Sequence, residues 1–389
     1  MASETVQRVS LSHQVRSDLD KAFRRVWGLG ANLIIGWRLL PHSLEIVYLS
    51  SFDLPKVAKL QSELLKPNRQ ITSEKEYHAL VKAGCKLTKV SLTSDIGREE
   101  NTVNYINNSI RNFTVTHYPC RAVALFDMVS FSIHSPFQQI TQISVLSHYI
   151  RLAERRCQML GMPIKLCMTT TGDGFYVWNN YEGIAADIAL YNATILALTY
   201  NYVSRDLATT QSVPRLRCVI HFGSHYEYYQ GSTEEGQSSA FIVGDVTVNA
   251  ARLISGAMTN QLLVGSYSRD IDAGNEELSE LVGLTSLETP SFLALAQNET
   301  RKLIELPIPG GKIEDIKAFL TGPKVSANAF TIRKYYITDK HGLEHGCYNA
   351  KLTVTSSSGD KVSFGLLDKD LEKFKARVDE DEDIVIRIR

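Results

Sequence analysis

The middle of the chain alternates short apolar runs with longer segments of helical periodicity. Residues 122–128 are apolar except at position 127, which is typical of a buried strand, and residues 140–159 repeat apolar positions at helical spacing. The runs 164–170 and 175–178 flank the turn 171–174, which predicts a hairpin. The alternation continues with a helix, a strand, a helix and a strand at 184–203, 216–222, 245–254 and 261–265. This pattern predicts a mixed α/β fold, with helices packed against one sheet.

The N-terminal region differs from this middle part. Helical periodicity is found in 15–27 and 54–65, and Ser73 followed by Glu76 is typical of a capping box. We therefore predict a mainly helical region over residues 1–118, with either a regulatory or dimerising role or plain structural packing.

The C-terminal region is predicted to be rich in strands. Prolines and glycines between 306 and 325 indicate a linker, and strand-like runs follow in the remaining residues. The predicted organisation is a helical region (1–118), an α/β domain (119–305), a linker (306–325) and a small β-rich domain that is a possible sensor (326–389).

Composition narrows the class of protein. The 389 residues suggest about two or three domains. The 42 basic residues equal the 42 acidic ones, and this lack of basic excess argues against a nucleic-acid partner. The six cysteines show no CxxC spacing, which favours reduced thiols over zinc or disulfides. The apolar run 27–40 contains Arg38 and is shorter than the roughly 20 residues of a membrane span, so core or dimer interface is expected. We expect a cytoplasmic protein without a membrane anchor.

Two aspartates carry the strongest chemical signal. Asp127 lies at the end of the apolar run 122–128, and Asp173 lies in the turn of the predicted hairpin. A buried carboxylate needs a counter-charge, because leaving it unpaired costs several kcal/mol. Two carboxylates meeting at adjacent strand ends would form an oxygen-rich site that favours Mg²⁺ or Mn²⁺ over Zn²⁺. A paired divalent-metal site suggests phosphate chemistry.

The turn after Asp127 offers a place for phosphate. If a helix follows directly, the amides of Ser130, Phe131 and Ser132 lie at its start, where free amides and the helix dipole attract anions. The Met128 carbonyl would add a metal ligand. The alternative is an ordinary turn in which Ser130 or Ser132 caps the helix.

A second polar set lies on the predicted helix 245–254. Asn249 and Arg252 are three residues apart and share one helix face. Together they would hold a ribose and a phosphate. The alternative is a surface arginine on an amphipathic helix.

The ordered motifs of the middle region resemble the catalytic domain of class III nucleotidyl cyclases. The resemblance rests on the segments 126–132 (FDMVSFS), 172–175 (GDGF), 217–223 (RCVIHFG) and 244–252 (GDVTVNAAR), and it covers about 119–305. It implies a mixed sheet flanked by helices and a homodimer with shared active sites.

The resemblance also implies roles for individual residues. Asp127 and Asp173, with the Met128 carbonyl, would bind two divalent cations, Mn²⁺ or Mg²⁺. Arg252 would stabilise charge on the phosphate during attack by the ribose 3′-oxygen and loss of pyrophosphate. Phe126, with the turn residues Ser130, Phe131 and Ser132, would contact the nucleoside triphosphate.

The positions that choose the base depart from the purine cyclases. Thr169 stands where Lys or Glu is common, and Phe241 stands where Asp, Thr or Cys is common. These departures are similar to the pyrimidine cyclases of the bacterial Pycsar antiphage system. They imply conversion of UTP to cyclic UMP as a signal in antiviral defence. Cyclic CMP from CTP, an adenylate or guanylate cyclase with an unusual base pocket, and a catalytically silent nucleotide sensor are the alternatives.

Two further positions differ from the family. The ribose-orienting asparagine is usual four residues before the arginine, where this chain has Val248, and Asn249 follows one place later. Either residue is therefore a candidate for that position. Ser130 stands where glycine is common, so its side chain would narrow the turn or cap the helix.

Overall fold

The computed structural model describes residues 11–56, 61–67, 69–92, 96–207, 212–231, 238–271, 285–326, 329–366 and 368–387. Two compact units make up the chain. The first comprises 1–119 and 226–242, and the second comprises 120–225 and 243–389.

The first unit combines helices with a small antiparallel sheet. Its elements are α1 (His13–Trp27), β1 (Asn32–Leu40), β2 (Ser43–Ser50), α2 (Gln61–Leu64), α3 (Glu74–Lys82), β3 (Lys86–Ser91) and α4 (Glu100–Ile110). The strands pair in the order β1-β2-β3. Ser12 caps α1 by accepting a hydrogen bond from the Val15 amide, and the apolar face of α1 packs onto a core that includes Trp37 and Ile106.

Helices α1 and α3 agree with the predicted helical segments, and the Ser73 side chain accepts a hydrogen bond from the Glu76 amide. The sheet was not predicted. The run 27–40, expected to be core or dimer interface, ends in β1, where Ile34 and Trp37 are fully buried. The predicted helix 54–65 lies partly outside the described residues, and its described parts form a short 3₁₀ turn at 54–56 and α2. Short apolar runs do not separate strand from helix by periodicity alone, which explains the missed sheet.

The second unit is built on one large mixed sheet. The elements that follow α4 along the chain are β4 (Thr116–Met128), α5 (Pro136–Met159), β5 (Leu166–Thr170), β6 (Gly174–Asn179), α6 (Ile184–Leu207), β7 (Leu216–Gly231), β8 (Ser238–Val243), α7 (Asp245–Gly256), β9 (Leu262–Gly265), β10 (Ser268–Asp270), β11 (Ser286–Glu288), α8 (Thr289–Thr300), β12 (Pro307–Ile308), β13 (Gly311–Thr321), β14 (Lys324–Ser326), β15 (Ala329–Ile332), β16 (Lys334–Thr338), β17 (Glu344–Ser356), β18 (Lys361–Phe364), α9 (Asp368–Leu371), β19 (Arg377–Val378) and β20 (Ile384–Arg387). The main path of the sheet runs β12-β13-β17-β9-β7-β4-β6-β5.

Helices cover both faces of this sheet. Helices α5, α6 and α8 pack on one face, in a core that contains Phe126, Ile150 and Phe292. Helix α7 packs on the other face with Leu125 and Val219. Because successive strand residues point to opposite faces, Phe126 and Leu125 belong to different cores. The mixed α/β fold predicted from the alternation of runs is confirmed.

Of the strands after residue 326, β16, β17, β18 and β19 share this sheet, whereas β15 and β20 form a separate three-stranded sheet with β14. β17 pairs with β9 through Cys347 and Gly265 and with β13 through Ala350 and Leu320. β16 and β18 pair with β17 in turn. The strand content predicted for this region is therefore present, and its strands pair with those of the middle region. None of the helices in the described ranges has both the length and the apolar character needed to cross a bilayer.

Candidate active site

The backbone brings the two candidate aspartates to neighbouring strands. β4 and β6 are antiparallel, and Asp127 is paired with Gly174, the residue after Asp173. The Met128 amide donates a hydrogen bond to the Asp173 carbonyl at 2.8 Å. The strand β4 and the β5–β6 turn therefore hold the two aspartates together at one end of the sheet.

Gly174 makes this approach possible. A Cβ atom at this position would lie 1.9 Å from the Phe126 carbonyl oxygen, which no side chain can tolerate. The absence of a side chain lets β6 pass directly beside the end of β4. The second glycine of the GDGF motif, Gly174, is therefore required by the close packing of β6 against β4, independently of any ligand.

An arginine whose role was not predicted forms an ion pair with Asp127 at this end of the sheet. Arg217 on β7 donates a hydrogen bond from Nε to Asp127 Oδ2 at 2.6 Å, and its Nη1 donates to the Ala257 carbonyl at 3.1 Å. The Asp127 side chain is only 13% exposed, so the guanidinium supplies the counter-charge that burial requires.

Burial and charge shift the acidity of Asp127. Burial raises the pKa of its carboxyl, and repulsion from Asp173 adds to this rise, while Arg217 opposes it. The net direction is upward, so Asp127 holds its proton at a higher pH than an ordinary aspartate. A bound cation would reverse this effect by favouring the carboxylate.

The turn after Asp127 differs from the predicted one. Ser130 adopts a left-handed conformation with φ of 60°, and a short 3₁₀ turn covers Phe131–Ile133. The α-helix begins only at Pro136, with Ser135 as its cap, so neither Ser130 nor Ser132 caps it. Proline at the first helical position, preceded by a serine, is a strong start signal that explains the later start.

Although the α-helix begins later than predicted, the backbone amides of Ser130, Phe131 and Ser132 lie at the start of the 3₁₀ turn. The amides of Ile133 and His134 close the 3₁₀ turn on the carbonyls of Ser130 and Phe131. The amides of Ser130, Phe131 and Ser132 come before these bonds, where a helical turn leaves its first donors without an internal acceptor. The side chains of Ser130 and Ser132 are exposed.

A cavity of about 610 Å³ borders this turn. Val129 and Ser130 line it together with Arg205 and Arg215. The Val129 amide donates to the Arg215 carbonyl at 2.8 Å, which fixes the turn against the start of β7. The two arginines give the cavity a positive lining next to Asp127.

The candidate base-contacting residues fall in different units. Thr169 on β5 is paired with Tyr176, which is opposed in turn by Leu125 on β4. Thr169 therefore lies on the sheet face that carries Leu125 and Asp127. Phe126 points to the opposite face and is fully buried in the core. Phe241 on β8 is 42% exposed and belongs to the first unit, where its ring lies 6.2 Å from that of Tyr228.

Helix α7 carries the second polar set. Gly244 precedes the helix, and the Tyr176 hydroxyl donates to the Thr247 carbonyl at 3.0 Å, which packs α7 over β6. Asn249 and Val248 occupy successive positions of this helix, and Val248 is 52% exposed. Arg252 is three residues after Asn249, as predicted.

Arg252 faces an acidic residue from the C-terminal strands. Its Nε lies 3.4 Å from Oδ2 of Asp339, in the hairpin between β16 and β17. The Arg252 side chain is 33% exposed, whereas that of Asp339 is only 4% exposed. This contact was not predicted from the sequence.

The donor set fits a hard divalent cation that also binds a substrate. The backbone places Asp127 and Asp173, the two predicted carboxylate ligands, at the same end of β4 and β6. Within the described part of the chain, no three His, Cys, Asp or Glu side chains form a group that could hold a metal ion. Mg²⁺ commonly uses one or two carboxylates and takes its remaining ligands from water and substrate phosphates.

The contacts of Arg217 and Asp339 were not predicted from the sequence. Arg217 was visible in the motif 217–223, and the need of a buried Asp127 for a counter-charge could have selected it. Asp339 had no comparable signal, because it stands in a polar turn far from Arg252 along the chain.

Comparisons with known proteins found similar solved structures. One is the guanylate cyclase domain of RhGC from Catenaria anguillulae with GTP, 13% identical with a TM-score of 0.31, covering 44% of this chain and 95% of that one. Another is an adenylate cyclase from Trypanosoma brucei, 13% identical with a TM-score of 0.31, covering 67% and 95%. A third is the adenylyl cyclase CyaB from P. aeruginosa, 14% identical with a TM-score of 0.29, covering 42% and 91%. No family model and no curated protein matches the chain.

Proposed function

We propose that this protein is a nucleotidyl cyclase that depends on divalent cations. The observation that carries the proposal is the meeting of Asp127 and Asp173 at the end of β4 and β6, beside Arg217. In the proposed reaction the ribose 3′-hydroxyl gives its proton to solvent water, and its oxygen bonds to the α-phosphorus. The bond from that phosphorus to the bridging oxygen breaks, and pyrophosphate leaves with the electron pair.

The residues at the sheet end would hold two cations, Mn²⁺ or Mg²⁺. Asp127, Asp173 and the Met128 carbonyl supply the protein ligands, and the triphosphate supplies others. Bound divalent cations lower the pKa of a hydroxyl and neutralise phosphate charge. Arg217 opposes the effect of burial on the Asp127 carboxyl and holds it in place, since the guanidinium lies 2.6 Å from the carboxylate.

The surrounding groups would orient the triphosphate. The amides of Ser130, Phe131 and Ser132 precede the 3₁₀ turn, and the adjacent cavity has a positive lining. Arg252 would stabilise the charge that develops on the phosphate, and Asn249 or Val248 would lie near the ribose. Each active site would take residues from both subunits of a homodimer, in keeping with the resemblance of the motifs.

The proposed substrate is UTP, and the proposed product is cyclic UMP. This choice rests on Thr169 and Phe241, which replace the residues that purine cyclases use. Thr169 lies on the same sheet face as Asp127, where a base could contact its hydroxyl. CTP is the second pyrimidine candidate, ATP and GTP are the purine alternatives, and a role of the product in antiphage defence follows from the resemblance alone.

Incubation of the purified protein with each of the four nucleoside triphosphates and Mn²⁺ tests the proposal. We expect cyclic UMP and pyrophosphate from UTP in equal amounts. Cyclic AMP or cyclic GMP as the sole product would contradict the pyrimidine choice. Binding of nucleotide with no cyclic product from any of the four would favour a silent nucleotide sensor.

The variant Asp127→Asn tests the metal role. Asparagine keeps the size of the side chain and an oxygen that can accept from Arg217, so the fold should persist. Loss of a metal carboxylate should lower kcat at least about a hundredfold, which corresponds to about 2.7 kcal/mol or more. Asp315→Asn is the matched control, because Asp315 is paired with Lys317 on β13. Equal activity of Asp127→Asn and this control would refute the metal role.

A further inference from the structure

The hairpin between β16 and β17 reaches Arg252 through a single carboxylate. Oδ1 of Asp339 accepts hydrogen bonds from the amides of His341 (2.8 Å) and Leu343 (3.0 Å) within the hairpin. Oδ2 faces Arg252 Nε at 3.4 Å and His345 Nε2 at 3.3 Å. One oxygen therefore shapes the hairpin, and the other faces the side chains of Arg252 and His345.

We propose that Asp339 is a positioning residue for Arg252, which orients the guanidinium for the phosphate of the substrate. The inference rests on the proposed cyclase function, in which Arg252 acts on the phosphate. It adds a residue from the C-terminal strands to the parts that prepare the active site.

The geometry of the contact favours orientation over neutralisation. The ion pair joins Oδ2 of Asp339 to Nε of Arg252. The two terminal nitrogens of an arginine form the fork that binds phosphate oxygens in pairs. In the proposed role, a carboxylate beside Nε limits the positions of the guanidinium while this fork takes the phosphate.

The hairpin is built to hold this carboxylate still. The Asp339 amide donates to the Leu343 carbonyl at 2.9 Å, and the Gly342 amide donates to the Asp339 carbonyl at 3.0 Å. Both strands continue into the large sheet, where β17 pairs with β9 and β13. A side chain fixed by its own hydrogen bonds can fix the residue that it contacts.

The carboxyl group of Asp339 also stays ionised. Burial by itself would raise the pKa of this carboxyl, but the amides of Leu343 and His341, together with His345 and Arg252, outweigh it and hold the pKa at about 2. Asp339 thus remains a carboxylate across the neutral range, and Arg252 meets the same partner at any working pH.

The variant Asp339→Asn tests the roles of the two carboxylate oxygens separately. The amide oxygen can still accept from the hairpin amides, whereas the amide nitrogen no longer attracts Arg252. We expect kcat to fall about 10- to 100-fold, the cost of a misplaced catalytic group, with KM changed less than about threefold. The melting temperature should remain close to that of the wild type.

Glu344→Gln is the matched control. Glu344 stands in the same hairpin and pairs with Arg377 instead, with Arg377 Nη2 at 2.8 Å from Oε2. This variant removes an ion pair from the hairpin without touching Arg252, so its kcat should equal that of the wild type. A loss as large as that of Asp339→Asn would overturn the inference, because hairpin stability would then explain both.

The double variant Asp339→Asn with Arg252→Lys tests whether Asp339 acts through Arg252. Added to Arg252→Lys, the Asp339 change should lower kcat by less than about twofold, since residues that act as a unit are not additive. A further loss as large as in the wild-type background would overturn the inference, as would wild-type kcat in Asp339→Asn alone.

A readout without turnover separates this inference from the proposed function. The Nε–Hε resonance of Arg252, assigned by its loss in Arg252→Lys, should exchange with water more slowly in the wild type than in Asp339→Asn. Equal exchange rates would overturn the positioning contact. Slow exchange in a wild type that forms no cyclic product from any nucleoside triphosphate would instead overturn the proposed function, and the role of Asp339 in the reaction with it.

Discussion

Replacing Arg217 by methionine should destabilise the protein in a way that a divalent cation repairs. The change keeps much of the apolar length of the side chain and removes its charge. It leaves the largely buried Asp127 beside Asp173 without its counter-charge, and it removes the hydrogen bond to the Ala257 carbonyl.

The size of the effect follows from the exposure of the pair. Breaking a fully buried ion pair costs about 3–5 kcal/mol, whereas an exposed pair contributes about 0–1 kcal/mol. The Arg217 and Asp127 side chains are 28% and 13% exposed, which places this pair between the two cases, at about 2 kcal/mol. For a unit of this size, 1 kcal/mol corresponds to about 2–4 °C, so we expect a melting temperature lower by about 4–8 °C.

Thermal unfolding with EDTA and with saturating Mn²⁺, both without nucleotide, provides the assay. A ligand at about 100 times its Kd stabilises the folded state by about 2.7 kcal/mol. In the wild type the cation competes with Arg217 for Asp127, so part of this gain is lost. In Arg217→Met the cation meets no competitor at Asp127. The difference in melting temperature between the wild type and Arg217→Met should therefore shrink in Mn²⁺ to less than about half of its value in EDTA.

Arg269→Met is the matched control for this experiment. Arg269 lies 3.5 Å from Asp187, and their side chains are 24% and 5% exposed. Arg269→Met should also have a lower melting temperature than the wild type. The difference between the two should be the same in Mn²⁺ as in EDTA. If Mn²⁺ raises the melting temperature of the wild type, Arg217→Met and Arg269→Met equally, the proposed competition at Asp127 is wrong.

Two further predictions concern the same end of the sheet. Because burial raises the pKa of Asp127, protonation of its carboxylate should compete with Mn²⁺ as the pH falls through the acidic range. The affinity for Mn²⁺, measured by calorimetry, should therefore weaken towards lower pH, and a constant affinity would contradict the assignment of this ligand. Gly174→Ala should destabilise the protein by more than about 3 kcal/mol or prevent folding, because its Cβ would meet the Phe126 carbonyl at 1.9 Å. Gly223→Ala is the control, because the nearest atom to its Cβ would lie 3.4 Å away. Urea unfolding should show that this control lowers the free energy of unfolding by less than about 1 kcal/mol.

The sequence by itself determined the α/β character of the middle region and the hairpin that carries Asp173. These features depend on local periodicity and on turn residues, which are written in consecutive positions. The place of Asp127 at the end of its apolar run followed directly from the sequence, whereas the pairing of β4 with β6 joins residues that are far apart along the chain.

Only the tertiary structure decided which charged groups meet. Arg217 reaches Asp127 because β7 lies next to β4 in the sheet, and Asp339 reaches Arg252 because β17 pairs with β9. Pairing between distant strands depends on the packing of the whole sheet, and no local pattern records it. The same reason explains the small sheet β1-β2-β3, whose short apolar runs became strands through their partners.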